Sequence, residues 1–483
     1  TLISISGDSS AFSGSSVFVL FESRFVLTSG VMSFSNTAIF TTTKSEIDIY
    51  GGQMLFNDAS IFESITTIIN VNANANHGAR RRRDTDASSG ELVITSGTSN
   101  FTLSANSIMT VQEGGVGFTQ QSTVTIDHSQ LLVVGGFVDV EDGARVFVAG
   151  QSTVGVSGGS LTTGGSSVWS ISHSAVTVNS GNLAIGGAAS FSVGQQSVVT
   201  VNSGVLSANG ASFSVSNSAI SVSGASGGIA LGGSVAASLS NANITLSGGG
   251  TLASSGSASL SVSSSNIAIG GGNLDINGGT ASFSATQIVL NAGQVYFSAS
   301  ATVYLLDHSQ LTVNGGSLSI LGSNNVVLDG SSHIAISGGN LVIQDKSLQL
   351  GGSSCIDVSQ GNLVYSGSSV IAVGSGCFRV SGGSALFNDH TSVTFTSGGL
   401  LQITSGSFVA HQSASVLLDS NSHVDITGGN FALYDSAHVA LTRSSSVSIS
   451  GGNALWFGNS TTLIDTGSSF TVAGGDVEFQ DAS

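Results

Sequence analysis

The two cysteines are the residues whose spacing points most directly to chemistry. Cys355 and Cys377 are 22 residues apart, and each lies six residues before a turn glycine, Gly361 or Gly383. If these glycines mark the same point of successive coils, the two thiols lie in parallel neighbouring strands about 4.8 Å apart, within the Cα range of a disulfide. Such a bond suits an oxidising compartment. The alternative is a pair of free thiols, because directly stacked β positions rarely give the required dihedral angle.

A basic segment is the second candidate. Arg80, Arg81, Arg82 and Arg83 supply four of the ten basic residues, inside a stretch, 73–89, that we expect to be an Arg-rich loop extruded from a corner of the fold. Three interpretations stay open: a contact with acidic groups of a neighbouring chain, a processing site for a protease that cleaves at basic residues, and a solvated loop tip.

Carboxylates and histidines give little sign of catalysis. Glycosidases need paired acids on one face of the fold. The densest acidic patch, Asp139, Glu141 and Asp142, has no basic residue beside it. His128 and His308 occur in the same Asp-His-Ser-Gln-Leu sequence, which is typical of an internal repeat. No phosphate-binding, zinc or calcium motif is present, so we expect no enzyme activity and no cofactor.

Three sequons for N-glycosylation occur, at Asn100, Asn243 and Asn459. Chance alone would produce several in a chain this rich in Ser and Thr. They become glycosylation candidates if the chain is secreted by a eukaryote.

The composition limits which elements can position these residues. Among 483 residues there are 66 Gly and no Pro, 40% are hydrophobic and 8% are charged. Average proteins contain about 5% Pro and about 25% charged residues. Pro is excluded wherever every backbone N–H must enter a ladder, so its absence indicates strands throughout. The net charge of −17 argues against nucleic acid as a partner, and no apolar run is long enough for a membrane-spanning helix.

Glycine turns recur at a fixed period. Their second residues are spaced by about 22 to 23 residues, which falls in the range of solenoid repeats and gives about 21 coils. One interval, from Gly52 to Gly90, is too long, and it contains the basic segment.

Within each unit, apolar residues alternate with polar ones, which is the strand period. Each unit contains three such stretches, as after Gly339 and Gly429. We therefore predict an all-β fold: a single three-sided parallel β-helix, right-handed, that runs as one continuous β-solenoid over 1–483. The core prediction comprises Ile356, Val358, Phe378, Val380, Val424, Ile426, Val447 and Ile449.

The first and the last residues of the sequence both fall within a strand pattern. Leu2 and Ile3 lie in the first strand, and Val477 and Phe479 lie in the last. Neither end carries an amphipathic helix or a charged coil that would cover unpaired strand edges. We expect these four residues to contact another coil, from a longer repeat chain or from a second copy stacked head to tail.

With the repeats aligned, the chain resembles the β-helical passenger regions of surface adhesins and autotransporter-type proteins. It is also similar to polymorphic outer-membrane protein repeats, which join a Gly-Gly-apolar stretch to Phe-x-Asn. The closest versions are GGQMLFND at 51–58 and GGSALFND at 382–389. The resemblance implies an extracellular or cell-surface location.

These observations favour a non-catalytic structural protein that forms one segment of an extracellular β-helical fibre. The partner would be the chain itself or a continuing repeat, with glycans as a further candidate and no nucleic acid. The first alternative is an adhesin that presents one face to a glycan or receptor. The weaker alternative is a carbohydrate-active β-helix enzyme.

Overall fold

The protein is all-β. A computed structural model describes residues 1–72, 91–94, 98–322 and 325–480. Over these residues the strands are parallel and stack as a β-solenoid of about 20 turns, and no helix is present. The predicted fold class is confirmed, whereas the handedness stays a prediction.

The chain divides into two compact units, Thr1–Asn243 and Ile244–Ser483. The first unit contains β1 Leu2–Ile5, β2 Ser10–Phe12, β3 Val17–Phe21, β4 Arg24–Leu27, β5 Val31–Phe34, β6 Ile39–Thr43, β7 Glu46–Ile49, β8 Gln53–Phe56, β9 Ile61–Ile65, β10 Ile68–Val71, β11 Glu91–Ile94, β12 Asn100–Ser104, β13 Ile108–Val111, β14 Gly115–Phe118, β15 Thr123–Asp127, β16 Gln130–Val133, β17 Phe137–Val140, β18 Arg145–Ala149, β19 Thr153–Val156, β20 Ser160–Thr163, β21 Val168–Ser172, β22 Ala175–Val178, β23 Asn182–Gly186, β24 Ser190–Gly194, β25 Val198–Val201, β26 Val205–Asn209, β27 Ser212–Ser216, β28 Ala219–Val222, β29 Gly228–Gly232 and β30 Ala236–Ser240.

The boundary between the two units falls inside one strand, Asn243–Ser247, of which all but the first residue belongs to the second unit. The second unit contains β31 Asn243–Ser247, β32 Thr251–Ser255, β33 Ser259–Ser263, β34 Asn266–Asn277, β35 Thr280–Ser284, β36 Gln287–Ser298, β37 Thr302–Leu306, β38 Gln310–Val313, β39 Ser317–Leu321, β40 Asn325–Leu328, β41 His333–Ile336, β42 Asn340–Gln344, β43 Ser347–Leu350, β44 Cys355–Val358, β45 Asn362–Ser366, β46 Val370–Val373, β47 Cys377–Val380, β48 Ser384–Phe387, β49 Ser392–Phe395, β50 Leu400–Ile403, β51 Ser407–Ala410, β52 Ser415–Leu418, β53 His423–Ile426, β54 Asn430–Leu433, β55 His438–Leu441, β56 Ser446–Ile449, β57 Asn453–Trp456, β58 Thr461–Ile464, β59 Ser469–Val472 and β60 Asp476–Phe479.

Three strands make a typical coil, and each pairs with the strand one coil further on. In the second unit, β53 pairs with β56, β54 with β57 and β55 with β58, all in parallel. The register keeps equivalent residues together, with Val424 opposite Val447 and Ile426 opposite Ile449. Because side chains alternate between the two faces of a strand, a constant register places the apolar residues of every coil in common columns.

These columns form the core of each unit. The predicted core residues of the second unit are all buried, which confirms the strand register derived from the sequence. They are Ile356, Val358, Phe378, Val380, Val424, Ile426, Val447 and Ile449.

Aromatic rings fill the core at the start of the first unit. Phe18, Phe40, Phe62 and Phe101 come from successive coils, and their ring centroids are separated by 5.1, 5.3 and 4.7 Å. A second column meets the first edge to face, with Phe34 at 5.3 Å from Phe40. Stacked and edge-to-face ring pairs are both favoured by the quadrupoles of the rings, so the two columns stabilise the packing of neighbouring walls of the solenoid.

The turn glycines are required at one corner of the coil. Gly383 has a φ of 73°, which lies in the left-handed region. A Cβ built at this position would lie 2.3 Å from the carbonyl oxygen of Gly361 in the preceding coil. Both the backbone conformation and the close approach of the next coil therefore exclude a side chain here.

Polar side chains add hydrogen bonds between coils. Asn362 Nδ2 donates to Asn340 Oδ1 at 3.2 Å, and Asn453 Nδ2 donates to Asn430 Oδ1 at 3.0 Å.

Buried serines form a second set of rungs in the first unit. The backbone N–H groups of Ser129, Ser152 and Ser174 each donate to a serine hydroxyl of the next coil, at 3.1 to 3.2 Å. Neighbouring coils are thus joined by side-chain hydrogen bonds in addition to the backbone ladders.

Candidate functional site

The strongest candidate site is an outward face of the second unit, made by β41, β44, β47 and β50. We call it the Cys355 face. In one outward row, His333, Cys355, Cys377 and Leu400 lie side by side. The neighbouring row contains Ala335, Asp357, Arg379 and Gln402. The alternate residues of the same strands, such as Ile356 and Phe378, are buried in the core. Because successive side chains point to opposite faces of a strand, the two rows named above point outward.

Cys355 and Cys377 are joined by a disulfide, with their Cα atoms 4.5 Å apart. They are direct partners in the parallel pair β44–β47. Their separation lies at the short end of the Cα range that disulfides accept. The bond therefore links two successive coils on the outer surface of the solenoid.

Ionisable side chains lie beside the disulfide, in the same outward row and in the neighbouring one. His333 Nε2 lies 3.0 Å from Asp357 Oδ2, and an Arg379 guanidinium nitrogen lies 3.8 Å from Asp357 Oδ1. All three side chains are partly exposed, so solvent screens their attraction. The three groups come from three successive coils, and the carboxylate lies between the two basic groups.

A shallow depression of about 260 Å³ opens beside these charges. Its lining combines hydroxyl, amide and charged groups, which suit hydrogen bonding to a polar ligand. The lining residues are Ala335, Asp357, Ser359, Arg379, Val380, Ser381, Gln402 and Thr404.

The three sequon asparagines are all exposed. Asn100 and Asn243 are the first residues of β12 and β31, whereas Asn459 lies in a turn. A turn leaves the asparagine free of the strand ladder, so Asn459 offers the most open position of the three. Their glycosylation stays a prediction.

The remaining residues predicted from the sequence are those of the basic segment and of the two sequence ends. Arg80 to Arg83, and the whole loop predicted at 73–89, lie outside the described residues. Leu2 is 65% exposed and Phe479 is 61% exposed, while Ile3 and Val477 are partly exposed. Their contact with a further coil stays a prediction.

A second cluster of charges lies in the first unit. Asp48 is almost fully buried although it occupies an outward row, and it accepts hydrogen bonds from the Arg24 guanidinium at 2.7 and 2.8 Å. Asn70 Nδ2 donates to its other oxygen at 2.8 Å. The hydrogen bond and the charge of Asp48 raise the pKa of Arg24. Because the three residues come from three successive coils, this cluster joins coils in the same way as the asparagine ladders.

Lys346 is a buried amine in the second unit. It is 3% exposed, and its Nζ has no hydrogen-bond partner among the described residues. The equivalent positions of the following coils hold the small residues Ser369 and Thr391. Burial lowers the pKa of Lys346 from 10.5 to about 8, and the charge of Asp345 opposes that shift.

Replacing Lys346 by Ser, the residue of the next coil, should stabilise the protein at neutral pH, because the substitution removes a buried amine whose charged form is disfavoured by desolvation. Between about pH 8 and the unfolded-state value of 10.5, the unfolded lysine holds more protons than the folded one. The stability of the wild type should therefore rise with pH across this window, and the advantage of Lys346→Ser should shrink. Urea unfolding of both proteins at several pH values measures the difference. An advantage that is independent of pH would show that the buried charge is not its cause.

Sequence reasoning missed the cluster of His333, Asp357 and Arg379. The available signal was the combination of the 22-residue offset with the two-residue alternation along a strand, which places all three in adjacent outward rows. Lys346 was also missed, although it interrupts a column of small residues.

In the described part of the chain, no group of three or more His, Cys, Asp or Glu side chains could hold a metal ion. Within the same residues, no helix is long and apolar enough to cross a membrane. Comparison with protein-family models, with curated proteins and with solved structures finds no match.

Proposed function

We propose that this chain is a non-catalytic structural protein that forms one segment of an extracellular or cell-surface fibre. The observation that carries the proposal is the repeated bonding between coils. Backbone ladders join each coil to its neighbours, and asparagine and serine rungs, stacked aromatic rings and a disulfide add links between particular coils. Load applied along such a stack is shared by many parallel hydrogen bonds.

The disulfide supports the extracellular location. Disulfides persist in oxidising environments and are rare in cytosolic proteins. The resemblance to passenger regions of surface adhesins points the same way.

The proposed partner is another run of the same repeat. The apolar side chains of Leu2, Leu463, Val472 and Phe479 are exposed in the first and last described coils. Any coil with an open edge presents unpaired N–H and C=O groups, which template the addition of a further strand. A further coil of the same repeat laid on these residues, whether from a longer chain or from a second copy, would bury them and continue the ladder, and a repeated head-to-tail contact that does not close gives a filament.

Sedimentation velocity of the full chain tests this self-association. We expect particles larger than the monomer at micromolar concentration, and Phe479→Asp should shift them towards the monomer. Phe147→Asp is the matched control, because Phe147 is also exposed but lies on a side wall of the solenoid. A monomer at all concentrations, or equal effects of the two variants, would overturn the head-to-tail contact.

The second candidate function is a surface adhesin, and the depression on the Cys355 face favours it. Its hydroxyl, amide and guanidinium groups resemble the polar lining with which proteins orient small ligands. Screening the folded chain against a glycan array tests this candidate. Binding that is lost in Gln402→Ala, in a chain that stays monomeric, would support the adhesin over the fibre.

A further inference from the structure

We propose that the disulfide of the Cys355 face is a site of thiol exchange. A small molecule that carries a thiol would form a mixed disulfide with Cys355 and release Cys377 as a thiolate. This inference does not depend on the fibre proposal, because it rests on the two cysteines and the charges beside them.

The two cysteine residues differ in exposure. Cys377 is 5% exposed, whereas Cys355 is partly exposed, and its Sγ lies near the outer surface, 3.6 Å from the Ser353 carbonyl oxygen. An attacking thiolate must approach one sulfur of the bond, and access decides which one it reaches. The geometry therefore directs attack to Cys355.

The charges favour Cys377 as the leaving group. Arg379 lies two residues after Cys377 on the same strand and on the same outward face. A guanidinium nitrogen of Arg379 lies 3.8 Å from Asp357 Oδ1, which is long for an ion pair. A neighbouring cation stabilises a thiolate.

The corresponding neighbour of Cys355 is Asp357, which would disfavour a thiolate there. This carboxylate lies 3.0 Å from His333 Nε2, on the side of Asp357 away from Arg379. The two ends of the disulfide thus have different surroundings, and these assign the attacked sulfur and the departing sulfur.

The step balances without an added oxidant. The incoming thiolate supplies the electron pair of the new bond to Cys355 Sγ, while the bond between Cys355 and Cys377 breaks. Its electron pair leaves on Cys377 Sγ, which becomes the thiolate. The number of disulfides and thiols is unchanged, and attack by Cys377 on the mixed disulfide reverses the reaction.

The fold can tolerate this opening. The Cys355 N–H donates to the Ser332 carbonyl at 3.1 Å, and the Cys377 N–H donates to the Ser354 carbonyl at 3.0 Å. Both bonds belong to the backbone ladders of the solenoid. Loss of the covalent link therefore leaves neighbouring coils held by their hydrogen bonds and by the core beneath.

The test treats the folded full chain with glutathione, without denaturant, and blocks free thiols with N-ethylmaleimide at increasing times. Peptide mass mapping then locates each label. We expect glutathione on Cys355 and maleimide on Cys377. Glutathione mainly on Cys377, or no reaction until denaturant is added, would overturn the proposal.

Removing the cation tests its role. Arg379→Gln should slow formation of the mixed disulfide by about threefold, because the departing thiolate loses its stabilising charge. Arg443→Gln is the matched control, since Arg443 forms a similar exposed pair with Asp419 at 3.2 Å on the same unit. Circular dichroism verifies that both variants are folded. Equal rates in the two variants would show that Arg379 does not act on the exchange.

Discussion

Val424→Asp is expected to destabilise the second unit by about 5 kcal/mol, which is enough to unfold a domain of ordinary stability. Val424 is 1% exposed and lies in a core column between Leu401 and Val447 of the adjacent coils. A carboxylate there would lose its hydration with no cation to pair with it. Urea unfolding followed by circular dichroism measures the loss, and limited proteolysis detects a chain that no longer folds.

The control for this variant is Ala440→Asp. Ala440 lies on β55 at an outward, partly exposed position, so the new carboxylate stays hydrated. We expect a change of less than about 1 kcal/mol. If the two variants cost the same, or if Val424→Asp leaves stability unchanged, the assignment of inward and outward faces is wrong.

Phe40→Ala should destabilise the first unit by about 3 to 5 kcal/mol. The ring is fully buried between those of Phe18 and Phe62, and it contacts the edge of Phe34. Truncation removes a large apolar surface and opens a cavity that neighbouring coils cannot close, because their backbone spacing is fixed by the ladders.

Phe147→Ala is the comparison for this loss. Phe147 is 41% exposed on the outer face of β18, so its removal should cost less than about 1 kcal/mol. Thermal unfolding of both variants, monitored by circular dichroism, gives the difference. A loss for Phe40→Ala no greater than that for Phe147→Ala would contradict the aromatic core.

The strand register could be predicted because three independent patterns agree. Turn glycines such as Gly383 mark the repeat, alternation marks the inward residues, and the absence of Pro permits an unbroken ladder. Each pattern is a requirement of the backbone geometry, so it is present in every coil even though the other side chains differ between coils. Val424, Phe378 and Cys377 could therefore be placed in their coils from the sequence.

The contacts on the outer surface could not be predicted in the same way. The register places Asp357 next to Arg379, yet the structure shows Asp357 closer to His333, one coil away on the diagonal. Which partner a long side chain meets depends on its rotamer and on hydration, neither of which the repeat determines. The burial of Lys346 could not be predicted for another reason. The equivalent positions of other coils hold Ser, Thr or Ala, which do not indicate how a longer side chain would pack there, and only the structure shows that Lys346 is buried.

Immunogold electron microscopy of the native material tests the central claim, that this chain is a segment of a surface fibre. Antibodies raised against the folded chain would be applied to intact cells of the source and to the material they shed. Our account predicts gold particles along extended fibres outside the cell. Label confined to the cell interior, or dispersed on particles with no fibrous structure, would contradict it.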